Sequence, residues 1–147
     1  MALKERIQED MKAAMRAGER ERLATVRLIL AAIKQREIDE RINLDDAQVL
    51  TVLDKMVKQR RESIAQFESG GRPDLVARES AEIAVLQGYM PAPLDETAIE
   101  ALIGEAIAQS GAQSVKDMGK VMGIVKARAA GRADLGAIGA RIKARLS

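Results

Sequence analysis

Two prolines within three residues, in Pro91-Ala92-Pro93-Leu94, form a barrier that no α-helix crosses. Each lacks an amide donor, and each holds the residue before it in extended backbone. On both sides of this barrier the apolar residues recur with helical period, and no strand-like alternation occurs. The expected fold is therefore all-α, divided at the prolines. Residues 1–90 form an N-terminal four-helix part, residues 91–94 a linker, and residues 95–147 a C-terminal three-helix tail domain.

The helices follow from spacing and punctuation. Leu3, Ile7, Met11, Ala14 and Met15 predict a first helix over about residues 2–17, stopped by Gly18. Leu23, Val26, Leu30 and Ile33 give a second, running to about Arg41, with Asn43 and Asp45 as turn and cap residues. Leu50, Leu53, Val57, Ile64 and Phe67 give a third from about Asp46, closed by Ser69-Gly70-Gly71. Pro73 suits the first turn of a fourth helix, whose stripe of Val76, Ile83, Leu86 and Met90 carries it to Tyr89-Met90. Beyond the prolines, Asp95 caps a fifth helix with Ile99, Leu102, Ile103, Ala106 and Ile107 facing inward. Asp134 caps a seventh with Leu135, Ile138, Ile142 and Leu146 inward and Ala137, Ala140 and Ala144 outward. Aromatic residues make up 1% of the chain, so the cores must be aliphatic, which suits helix-on-helix packing.

The sequence excludes several chemistries. Without cysteine or histidine the chain offers no disulfide, thiolate nucleophile, Cys/His zinc site or imidazole base. No glycine-rich loop ending in GK[ST] precedes a helix, so a phosphate-cradling loop is not expected. Acid pairs such as Asp45-Asp46 or Glu79 with Glu82 are better explained as caps and solvated faces than as a Mg²⁺ site. No catalytic residue, cofactor or metal is therefore expected. The apolar run Leu28 to Ile33 is far shorter than the ~18 residues of a membrane span. MALKERIQED mixes acids with bases, unlike a leader sequence, which makes a cytoplasmic protein the default.

The stretch from Ser114 to Gly139, SVKDMGKVMGIVKARAAGRADLGAIG, is the least ordinary part of the chain. Ser114 and Asp117 read as a capping box that starts the sixth helix, expected to end near Ala130-Gly131. At 100° per residue, Met118, Val121, Met122 and Val125 share the inward face, while Lys116, Lys120 and Lys126 fall opposite. Gly119 and Gly123 lie among these lysines, although an interior glycine costs roughly 1 kcal/mol relative to alanine. A bare strip ringed by ammonium groups lets a phosphate backbone come close to the helix. The competing reading is that another helix crosses at the glycines. From Ser114 onward eight basic residues oppose two acids, a net +6, against −4 for the rest of the chain. An acidic body with a basic end points to an anionic partner for the end.

Taken together, the phrases KDMGKVMG (Lys116–Gly123) and GRAD (Gly131–Asp134) resemble the end of the B subunit of tRNA-dependent glutamine amidotransferases. KMVKQRRES (Lys55–Ser63), GRPDL (Gly71–Leu75) and ESAEIAVLQGYMP (Glu79–Pro91) resemble YqeY proteins. Over essentially its whole length the chain is similar to the GatB/YqeY family. The resemblance implies two helical parts and a tail that contacts the outer body of tRNA, at positions corresponding to Lys116, Gly119, Lys120, Gly123 and Arg132. It also implies, by association alone, carbon-nitrogen ligation with glutamine as nitrogen donor, but the amidotransferase's catalytic body has no counterpart here. The expectation is a non-catalytic module binding tRNA or another structured RNA through Lys116, Gly119, Lys120, Gly123, Lys126, Arg128, Arg132, Arg141 and Lys143. The alternative is a protein-interaction module or accessory factor docking an amidotransferase or another partner through the same face. Lys55, Lys58, Arg60 and Arg61 are a weaker second basic set, better read as surface charges paired with acids.

Overall fold

A computed structural model describes all residues, Met1–Ser147, and contains only helices: α1 (Leu3–Ala17), α2 (Arg20–Glu40), α3 (Asp46–Ser69), α4 (Pro73–Gln87), α5 (Glu96–Ser110), α6 (Met118–Ala129) and α7 (Leu135–Leu146). A single 3₁₀ turn, Val115–Asp117, leads into α6. The chain separates into two compact units, Met1–Met90 and Pro91–Ser147.

Local chemistry sets the boundaries. Asp45 caps α3 with a capping box, its carboxylate accepting from the Gln48 amide while the Gln48 side chain accepts from the Asp45 amide. Asp95 and Asp134 accept amides at the starts of α5 and α7. At the turn from α3 to α4, Gly71 has φ +67°, and the Arg72 amide reaches back to the Phe67 carbonyl. A side chain at that φ is strained, so glycine is required there. Arg41 takes the same left-handed conformation after α2 without being glycine, its amide bonded to the Glu37 carbonyl.

In the first unit α1 packs on α2, and α3 lies along α4. Ile7, Val26, Ile29, Val49, Leu53 and Leu86 are completely buried, Ile33 nearly so. Each such side chain contributes about 1.5–3 kcal/mol relative to exposure. Ile29, outside the expected α2 stripe, is one of these core residues. The fourth helix ends earlier than its apolar period suggests: α4 stops at Gln87, and Tyr89 packs into the core from the irregular chain beyond. The Tyr89 hydroxyl donates to Asp10 at 2.6 Å, Asp10 lies 3.8 Å from the Arg22 guanidinium, and Arg6 sits over the ring. Tyr89, pinned in this way to α1, has no need of a helix.

The second unit is built on α5, α6 and α7, with Ile103, Ala106, Val121, Val125, Ala129 and Ile142 fully buried. Residues 91–94 belong to it rather than hanging free as a linker. Leu94 packs on its core and donates its amide to the Arg132 carbonyl at 2.9 Å, while Arg132 Nε donates to the Ala92 carbonyl at 3.0 Å. Two prolines lacking donors are thereby held by the backbone groups around them.

Burial, and then the neighbouring Asp10 carboxylate, push the Tyr89 hydroxyl up to about 12. Because the folded value exceeds the ordinary 10.0, the contribution is complete below that pH and fades as pH rises from there towards 12. Tyr89→Phe is expected to destabilise the first unit by about 1 kcal/mol at neutral pH. It should also flatten the alkaline decline, as read by native-state hydrogen exchange of core amides in α1 and α3.

Candidate nucleic-acid interface on the second unit

The start of the sixth helix is fixed by Asp117, whose carboxylate accepts the amides of Gln113 at 3.0 Å and Ser114 at 3.4 Å. Those backbone bonds hold its carboxyl below the usual aspartate range against a smaller effect of desolvation, and the nearby Lys120 charge acts in the same direction. The capping box read from the sequence is present, with a 3₁₀ turn between it and α6.

Once the cap sets the phase, the 3.6-residue period divides the helix. Val121, Val125 and Ala129 are fully buried, with Met118 and Met122 packed partly against the core. Lys116, Gly119, Lys120, Gly123 and Lys126 are all exposed. A Cβ placed on Gly119 or Gly123 would meet open space, with no heavy atom within 4 Å. No crossing helix seals the glycines. Gly139 on α7 is different: a Cβ there would lie 3.8 Å from Met122 Sδ, where α6 and α7 approach each other. The low ridge continues one turn further than expected, to exposed Ala127. Its four-residue step from Gly119 and Gly123 is the sequence signal that marks it.

The remaining expected contact residues divide by chemistry. Arg128 donates to Glu105 at 3.0 Å and Gln109 at 3.1 Å, tying α6 to α5. Arg132 holds the proline stretch. Arg141 pairs with Glu96 at 2.6 Å and also with Glu100, which Arg145 shares, so that α7 is fastened to α5. The Arg141 hydrogen bond holds the Glu96 carboxyl below its usual range. Thus all four arginines of the second unit bind groups of their own unit. Lys116, Lys120, Lys126 and Lys143 are exposed and form no ion pair. Of the weaker set on α3, Lys58 pairs with Asp54 and Arg60 with Glu82, as expected, while Lys55 and Arg61 pair with nothing. Of the acid pairs, Asp45 is a cap, Asp46 accepts the Leu3 amide, and Glu82 holds Arg60. No group of three acidic side chains is placed to hold a metal ion, and no helix is long and apolar enough to cross a membrane.

The model of the family described as Yqey-like protein matches residues 4–146. The chain belongs to the YqeY-like family. Its relatives include the altered inheritance of mitochondria protein 41, mitochondrial, of several fungi. The Eremothecium gossypii protein is 42% identical over 87 residues, 58% of this chain and 48% of the relative. The Kluyveromyces lactis protein is 39% identical over 87 residues, 58% of this chain and 47% of the relative. The Pyrenophora tritici-repentis protein is 34% identical over 130 residues, 84% of this chain and 71% of the relative. The chain spans about half the length of the first two. These names correct the expectation of a cytoplasmic protein, which rested on the absence of leader-like character in MALKERIQED. YqeY-like relatives of this chain are mitochondrial, so that absence does not set the compartment.

If Gly119 and Gly123 have no architectural duty, alanine should improve the helix. Gly119→Ala and Gly123→Ala are each expected to raise the stability of the second unit by about 0.5–1 kcal/mol, seen as a higher midpoint in denaturation followed by circular dichroism. A lower midpoint would assign both glycines to packing.

Proposed function

We propose that this YqeY-like chain is a non-catalytic RNA-binding module whose second unit engages tRNA, or another structured RNA, along the outer face of α6. The observation that carries the reading is the separation of cations. Arginines fasten the helices, while Lys116, Lys120 and Lys126 remain available around a ridge of Gly119, Gly123 and Ala127, and Lys143 is free on α7. Arginine's planar fork suits fixed bidentate contacts, whereas a lysine ammonium is a mobile point charge suited to phosphates.

A ridge without side chains lets a sugar-phosphate backbone approach the helix at close range. The second unit contains no aromatic residue, so it has no platform for stacking unpaired bases. Recognition is then by shape and phosphate spacing, as for duplex regions of folded RNA. Among such RNAs, tRNA is favoured by the likeness of Lys116–Gly123 and Gly131–Asp134 to the tail of the amidotransferase B subunit. The chain supplies no nucleophile with a positioned base for glutamine hydrolysis, so any amide transfer would need the catalytic body of a partner.

With four lysines each meeting a phosphate, log affinity for tRNA should fall against log salt with a slope of roughly −3. Lys120→Glu and Gly123→Leu should each weaken binding about tenfold with helicity unchanged, on the scale of one lost charge-assisted contact. Fluorescence anisotropy with labelled tRNA and the full chain checks both. Affinity indifferent to the two substitutions would remove this face from RNA recognition. Co-elution with an amidotransferase subunit but not with tRNA would make the same face a protein-docking surface.

A further inference from the structure

The second helix carries apolar residues on two opposite faces. Its inner face buries Thr25, Val26, Ile29 and Ile33. On the outer face Ala24, Leu28, Ala31, Gln35 and Ile38 follow one another at alternating steps of four and three residues, and all are exposed. Leu28 is 47% and Ile38 60% accessible. Ile42, just beyond the left-handed Arg41, is 39% accessible and lines the same shallow hollow as Lys34, Ile38 and Arg41. An alternating four-three row is the seam that one helix offers another, each side chain entering a hole between four residues of the partner.

Charge along the seam is one-sided. Arg27, Lys34 and Arg41 recur every seven residues on one border, exposed and outside every ion pair of the first unit. Of the acids at this end of α2, Glu37 is paired with Lys4 and Glu40 with Arg36, while Asp39, on the opposite border from the three cations, accepts only from the neutral Gln35 amide. Glu37 is held below the usual carboxyl range chiefly by the Lys4 hydrogen bond. The outer face therefore offers an apolar row beside three cations whose charge is not neutralised locally.

We infer that the outer face of α2, with Leu28, Ile38 and Ile42 bordered by Arg27, Lys34 and Arg41, docks an amphipathic helix of a partner protein whose apolar seam is flanked by acidic residues. This surface is independent of the α6 face. An antiparallel second copy of the chain fits it less well, since such a pair of α2 helices would set the same cationic borders against each other. A lipid surface also fits less well. The row is narrow and interrupted by Gln35 and alanines, and α1, α3 and α4 pack on α2, so it cannot sink into a bilayer interface. Folded RNA gains nothing from the row of Leu28 and Ile38.

The test uses the full chain and two labelled synthetic peptides of four heptads with leucine at both seam positions, one flanked throughout by glutamate and the other by lysine. The glutamate peptide is expected to bind and the lysine peptide not to. Ile38→Asp, at a largely exposed site, should weaken binding at least tenfold with unchanged circular dichroism. The double variant Lys34→Glu with Arg41→Glu should reverse the preference between the peptides. Equal binding of both peptides, no binding of the glutamate peptide, or indifference to Ile38→Asp would overturn the inference. So would cosedimentation with anionic vesicles that Ile38→Asp abolishes, or a dimer in equilibrium sedimentation that Ile38→Asp dissociates, since either assigns the face to a different occupant.

Discussion

The burial of Val121, Val125 and Ala129 decides what the second unit can present to its surroundings. These three residues, each with 0% of its surface accessible, descend one side of α6 at four-residue steps into the core shared with α5 and α7. A rigid helix whose inner side is fixed has its outer side fixed as well. Gly119, Gly123 and Ala127, also four residues apart, are consequently carried to the solvent side with Lys116, Lys120 and Lys126 around them. One close-packed aliphatic core therefore supplies both the stability of the unit and the aim of its basic face.

The rest of the unit keeps that helix in place. Arg128 secures α6 to α5, Arg141 and Arg145 secure α7 to α5, and Arg132 holds the strap of two prolines. Each of these contacts is partly solvated and contributes little alone. Their value is geometric, since they restrict how three short helices can slide. The first unit uses similar means: Arg60 with Glu82 between α3 and α4, and the Tyr89 hydroxyl on Asp10. Its α2 is the exception, because it has one apolar face inside and a second one outside.

Much of this was legible in the sequence where the cause is local. Asp45, Asp95 and Asp134 cap helices from their own first turns, and Gly18 and Gly71 adopt the left-handed conformation at the breaks. Helix boundaries read from such residues agree closely with the structure. The apolar period overshoots the end of α4 because Tyr89 and Met90 continue it in chain that the fold uses outside a helix. The second seam of α2 does not stand out in the sequence, because Ala24, Ala31 and Gln35 dilute its apolar period. Exposure of Gly119, Gly123 and three of the lysines followed from the helical period alone. The engagement of Arg128, Arg132 and Arg141 did not, because their partners lie 19 to 45 residues away and only tertiary packing brings them together.

The central claim is that a helix surface stripped of side chains and ringed by lysines receives a polyanion. Nuclear magnetic resonance of the ¹⁵N-labelled chain titrated with unmodified tRNA tests it most directly, because the amides of Gly119 and Gly123 lie within the proposed contact. Shifts or broadening concentrated on Gly119, Lys120, Gly123 and Ala127, removed by added salt, are the predicted result. Unperturbed signals at these residues under saturating tRNA, or perturbation confined to Lys55 and Arg61 on α3, would contradict it.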